Sequence, residues 1–186
     1  MILDASGKKV ATPAGRDIAS FSASINSLET LDKLRARKDA GEVGLEASIL
    51  LAQLQLGSID VKQGSKQRKA LVKPKKFNKA QWEADLVEID ALLFNLKLTD
   101  MFQNTGRDKE SQAKLAEKLY GMAKKGKFAS GDMTYGYWSQ VMKVAKEKKD
   151  VDIFEKGYNA LYGMYKDNPR AKKILAEMKA ELDSMK

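Results

Sequence analysis

Along most of this chain the apolar residues return at every third or fourth position, in short runs that end at glycine, asparagine or proline. Such spacing puts an apolar stripe on each of a series of helices, and every stripe needs a neighbour to cover it. The first run is Ile18, Phe21, Ile25, Leu28, Leu31 and Leu34, with a cap at Asp17 or Ser20 and a stop at Gly41. The second, over 43–56, carries Leu45, Ile49, Leu50, Ala52, Leu54 and Leu56. It is apolar on more than one side and is expected to be the more buried partner. A third runs from a Ser58 cap to Val72 and is broken by Pro74. The fourth starts at Asn78, with Gln81 placed to return the capping bond and Phe77 placed to staple onto Trp82. It continues through Leu86, Ile89, Leu93 and Leu96 towards Met101. Further helices are expected over 109–125, over 133–148, from Asp150 or Asp152, and from Asn168-Pro169 onward. The pattern predicts a mainly α fold of about eight antiparallel helices in an irregular helical-hairpin array or bundle.

Residues 2–12 break this pattern. Ile2-Leu3, the turn Asp4-Ala5-Ser6-Gly7, and Val10 to Thr12 predict a short N-terminal β-hairpin. A lone two-stranded hairpin is marginal in water, so it must pack on something. Its open edge also offers a way for two copies to pair as a homodimer. The chain is accordingly divided into 1–41, hairpin plus first helix, and 42–186, a helical-hairpin domain.

Composition narrows the chemistry. The chain has no Cys and no His, which removes disulfides, thiolate nucleophiles, Cys/His zinc sites and every triad built on imidazole. Gly121 to Gly126 lacks the Gly-Lys-Ser/Thr ending of a phosphate loop and follows a helix where a strand is needed. Asp85, Glu88 and Asp90 with nearby Glu83 read as an exposed acidic face paired with lysines. No catalytic residue, metal ligand or cofactor is nominated, and the expectation is a binding protein rather than an enzyme. Thirty-four Lys+Arg against 25 Asp+Glu give +9, a balance that suits an acidic protein or peptide segment, or nucleic acid. No apolar run approaches the roughly 18 residues of a membrane span, and no signal peptide is visible, so the expected setting is cytoplasmic.

Two stretches resemble degenerate tetratricopeptide units. In the first, Gly57-Ser58-Ile59, Ala70-Leu71 and Pro74 follow the family's small-residue turn and its closing Ala-Leu and Pro. In the second the echo is carried by Trp138, Asp150-Val151, Phe154, Tyr158, Ala160-Leu161 and Asn168-Pro169. Both carry extra residues relative to the family spacing. The resemblance implies stacked helical hairpins with a concave face for a peptide. The front of the chain, Ile2 to Val10 followed by Gly15, Phe21 and Ile25, is similar to the last hairpin and final helix of thioredoxin-like domains. That resemblance implies the tail remnant of a larger thioredoxin-like protein, without dithiol chemistry of its own.

Two groups of residues are candidates for partner binding. From Lys62 to Lys79 there are eight basic residues and no acid. Lys69, Lys73, Lys75 and Lys76 are the ones singled out, with Phe77 and Trp82 close by for stacking. The bland reading is a solvated face, supported by one Arg among seven Lys where phosphate recognition favours Arg. The aromatic run is Tyr135, Tyr137, Trp138, Phe154, Tyr158, Tyr162 and Tyr165, with Tyr135, Tyr137, Trp138, Tyr158 and Tyr162 as the candidate contacts. At helical spacing such residues are commonly core, but their hydroxyls need partners and they suit a peptide groove. The sequence therefore points to a non-enzymatic helical interaction module. The alternative is nucleic-acid binding without sequence preference through 62–79.

Overall fold

The computed structural model describes residues 2, 3, 7, 9–11 and 18–186. Two short strands, β1 (Ile2–Leu3) and β2 (Lys9–Ala11), pair antiparallel. Eight helices follow among the described residues: α1 (Ile18–Asp39), α2 (Glu46–Gln55), α3 (Val61–Ala70), α4 (Lys79–Gln103), α5 (Lys109–Lys124), α6 (Met133–Glu147), α7 (Val151–Tyr165) and α8 (Lys172–Met185). The fold is mainly α, as the apolar spacing predicts. Residues 4–6, Thr12, Gly15 and both proposed α1 caps, Asp17 and the Ser20 side chain, lie outside the described residues.

Aspartate and asparagine start most of the later helices, because their short side chains accept from the first free backbone N–H groups. Asp108 accepts from the Ser111 N–H at 2.8 Å and Asp150 from the Ile153 N–H at 3.1 Å. Asn78 accepts from the Gln81 N–H at 3.2 Å, and Phe77 meets Trp82 edge-on with centroids 5.7 Å apart. The Gln81 side chain does not return the capping bond; it donates to Asp85 Oδ1 at 2.7 Å. The start of α3 is also corrected. Asp60 and Gln63 form the reciprocal capping box, at 2.7 and 3.2 Å, while the Ser58 hydroxyl donates backwards to the Gln53 carbonyl. A carboxylate outcompetes a hydroxyl here, and the cap lies two positions beyond the serine, with the helix starting at Val61. Asn168-Pro169 opens a single 3₁₀ turn (Pro169–Ala171), and α8 starts only at Lys172.

The chain forms two compact units, Met1–Leu96 and Lys97–Lys186. The boundary falls inside α4, whereas the 41/42 division suggested by the sequence marks the turn between α1 and α2, both within the first unit.

In the first unit α2 is the central element. One of its faces gives Leu45, Ala52 and Leu56 to a cluster with Leu31 and Leu34 of α1 and with Ala11 and Ile2 of the hairpin. The other gives Ala47, Leu50, Leu51 and Leu54 to a cluster with Trp82 and Ile89 of α4. The hairpin's packing partner is thus the α1–α2 pair. The early part of the α1 stripe does not share this burial: Ile18 is 86% exposed, Phe21 38% and Ile25 48%. Only from Leu28 onward does the stripe meet α2, since the periodicity specifies a face but not how much of it a neighbour covers.

In the second unit α6 and α7 run antiparallel. Tyr135 meets Tyr165 at one end, and Met142 lies against Gly157 further along. α8 returns along α7, with Lys186 bonded to Glu155 at 2.7 Å. The interior is aromatic as well as aliphatic: Tyr137, Trp138 and Phe154 are buried with Leu119, Val141 and Leu161. Asp150 ties the unit together by accepting from the Tyr120 hydroxyl at 2.7 Å and the Lys124 ammonium at 3.0 Å, besides capping α7. Burial pushes its carboxyl up, and these bonds outweigh it and hold the group below the usual carboxylate range. No helix among the described residues is long and apolar enough to cross a membrane.

Candidate partner-binding cleft

Where α6, α7 and α8 meet, the second unit leaves an open cleft of about 290 Å³. Tyr135 comes from α6, Leu161 and Tyr165 from α7, and Ile174, Leu175 and Met178 from α8. Asn168 and Arg170 line it from the turn before α8, where the Asn168 cap and Pro169 hold the chain in one bend. The lining is mostly carbon. Among the described residues no carboxylate lines it, its one charged group is Arg170, and that guanidinium has no ion pair. The segment around it adds Lys166, Lys172 and Lys173 against Asp167. Tyr135 is half exposed and Ile174 nearly so. Exposed apolar side chains arranged in a concave surface with a cation among them are suited to holding an apolar segment that carries an acid.

The aromatic residues singled out from the sequence separate in the fold. Tyr135 lines the cleft. Tyr158 and Tyr162 sit on α7 outside its lining, with ring centroids 5.7 Å apart. Tyr137 and Trp138 are corrected to the core, 0% and 2% exposed. The Tyr137 hydroxyl donates to the Lys127 carbonyl at 2.6 Å, and Trp138 is stacked under Phe128 at 5.4 Å. Burial pushes the Tyr137 phenol far up, so it stays a neutral donor. The reason is local: residues 137, 138, 141 and 145 share the inward face of α6, while Tyr135 stands at its edge. Tyr165, the last of the aromatic run, does line the cleft. Phe154 is core, 4% exposed. Arg170 and Met178 are not candidates by sequence, because nothing in one helix's stripe tells which residues of another it meets.

The basic segment lies in the first unit. Lys69, Lys75 and Lys76 are exposed and carry no ion pair among the described residues. Lys73 stands over the Phe77 ring at 5.5 Å. Arg68 is engaged by Asp90 through two bonds of 2.8 Å, and Lys79 reaches Glu83 at 3.8 Å. Trp82, expected nearby for stacking, is 4% exposed and packed in the core. Asp85 is buried too, a correction to the exposed acidic face. Among the described residues no group of three or more His, Cys, Asp or Glu could hold a metal ion.

Comparison with known proteins finds no family model, no curated protein and no solved structure that matches the chain.

Proposed function

We propose that this protein is a helical interaction module and that the α6–α7–α8 cleft takes a short segment of a partner protein, apolar with at least one acid. The observation that carries the reading is the cleft's lining: carbon-rich and, among the described residues, free of carboxylates, with the unpaired Arg170 in it. The net charge of +9 favours an acidic approach. The reading of the hairpins as tetratricopeptide-like is supported by the antiparallel pairing of α6 with α7 and by the Asn168-Pro169 bend before α8. The thioredoxin-like reading of the front, and pairing of two copies through the hairpin, draw support from the antiparallel β1–β2 pair and its packing on α1 and α2. Light scattering at high concentration that finds only monomer removes the pairing.

The test of the cleft is selection of binders from a random peptide library on the purified chain. Enriched peptides should join an acid to aromatic or aliphatic residues and should shift the Met178 methyl resonance. Arg170→Glu and Tyr135→Ala should each weaken the best peptide by about tenfold or more. Peptides without acids, or affinities unchanged in both variants, would sink the reading.

Nucleic-acid binding is the second reading, favoured by the free lysines Lys69, Lys75 and Lys76 on one exposed segment. Burial of Trp82 removes one of its stacking groups. Binding of random oligonucleotides with a steep salt dependence, lost on changing Lys73, Lys75 and Lys76 to Glu, would support it. Equal binding by that triple variant would remove it.

A further inference from the structure

The first unit holds a second cleft, of about 390 Å³, bounded by α1, the turn before α2, α2 itself and the start of α4. Unlike the cleft on α8, it sets many polar groups among aliphatic ones such as Leu34, Val43 and Leu51. Thr30, Ser48, Gln55, Asn78 and Gln81 contribute polar groups to its wall, and Asp85 lines it from α4. Asp85 is 3% exposed. Its two oxygens accept from neutral donors only: the Ser48 hydroxyl on Oδ2, and the Gln81 amide on Oδ1 at 2.7 Å. No Lys or Arg among the described residues pairs with it. Arg37, the one cation among the described residues of the wall, is committed elsewhere. It grips Glu42 at the rim through two bonds of 2.7 and 2.5 Å, and that pairing raises the Arg37 pKa and lowers that of Glu42.

A carboxylate offers about four lone-pair sites. Two are filled here, by groups that carry no charge. Taking an anion out of water is costly unless a cation or a full set of donors offsets it. Within this cleft Glu42 has its cation and Asp85 does not. From this juxtaposition we infer that the cleft is a binding site for a small organic ammonium bearing hydroxyl or other hydrogen-bonding groups. The ammonium fills the open positions on Asp85, and the body of the ligand meets Gln55, Asn78 and Thr30. Arg37 and Glu42 form a neutral pair at the rim, so they leave the cleft's charge to Asp85. This site is independent of the peptide cleft, which lies in the other unit.

The experiment is a titration of the full chain, followed by amide resonances of Ser48, Gln81 and Asp85, with aminobutanol, butanediol and butyrate as probes. Aminobutanol should shift all three resonances and bind about tenfold or more tightly than butanediol, the neutral molecule of the same size. Butyrate should not bind. Asp85→Asn keeps the shape and removes the charge, and should abolish the preference, whereas Glu83→Gln on the surface of α4 should leave it intact. Equal binding of aminobutanol and butanediol, or shifts spread over the surface carboxylates instead of these residues, would overturn the assignment. The probe comparison on the unaltered chain decides the matter even if Asp85→Asn does not fold.

Discussion

In the first unit α2 presents leucine and alanine on two sides, and the side chains it meets are largely aliphatic. In the second, α6 and α7 are joined around Tyr137, Trp138 and Phe154, and all six tyrosines of the chain belong to that unit. The difference shows in the clefts. Ser48 and Asp85 are hydrogen-bonded between α2 and α4, so the first unit's cleft mixes polar groups and a buried carboxyl into an aliphatic wall. The aromatic interior satisfies its own phenol on backbone carbonyls, and what it leaves at the surface is an apolar cleft with a cation. Similar helical material therefore gives two surfaces of different chemistry, according to what each interior absorbs.

Large truncations test this contrast most strongly. The two tryptophans report one unit each, Trp82 the first and Trp138 the second. Trp138→Ala should cost about 3–5 kcal/mol and Leu50→Ala about 2–5 kcal/mol. Urea unfolding followed by circular dichroism measures both, with Trp82 emission reporting directly on the cluster that contains Leu50. A loss under about 1 kcal/mol for Trp138→Ala would contradict its place in the core.

Two glycines sharpen the comparison at smaller scale. A Cβ at Gly157 would lie 2.5 Å from Met142 Cγ and 2.9 Å from the Trp138 ring. A Cβ at Gly64 would lie 2.7 and 2.9 Å from the methyl ends of Leu54 and Leu93. Leucine ends can turn aside, and a stacked indole held by Tyr137 and Phe128 cannot do so easily. Gly157→Ala is expected to destabilise by about 1–3 kcal/mol. At Gly64 the helix-propensity gain of up to about 1 kcal/mol offsets most of the strain. Thermal unfolding of the two variants should rank them in that order, and the reverse order would show that the second unit's interior is the more yielding.

Much of this architecture was legible in the sequence. The centrality of α2 followed from its two apolar sides, and the Asn78 start of α4 followed from the Phe77-Asn78…Trp82 pattern. What was not legible depended on pairing between distant segments. Ile18 and Ile25 continue the α1 stripe perfectly well yet stay exposed, because a stripe's period says nothing about the length of the neighbour that covers it. Asp85 reads as one more acid on an amphipathic helix until Ser48, 37 positions earlier, is seen to donate to it. The cleft on α8 is the same case: Arg170 is one of many basic residues by sequence, and only the bend at Asn168-Pro169 brings it to an apolar surface.

The smallest predicted effect separates the units by pH. Burial pushes the Tyr137 phenol up, and the bond that Tyr120 donates to Asp150, followed by burial, pushes Tyr120 up to about 12. In the unfolded chain both ionise near pH 10. A folded pKa raised above the unfolded one means that the neutral phenols stabilise the fold fully below about pH 10. That contribution is lost as the pH climbs from there towards the folded values. The loss belongs to the second unit, since the first has no tyrosine. Tyr137→Phe removes the hydroxyl that bonds Lys127 and Leu119, and should cost about 1 kcal/mol at neutral pH. It also removes one of the two shifted phenols, so its urea midpoint should fall less steeply than the parent's above about pH 10. An equal slope in the variant would mean that the Tyr137 phenol ionises as readily in the folded chain as in the unfolded one, and that the aromatic interior admits water.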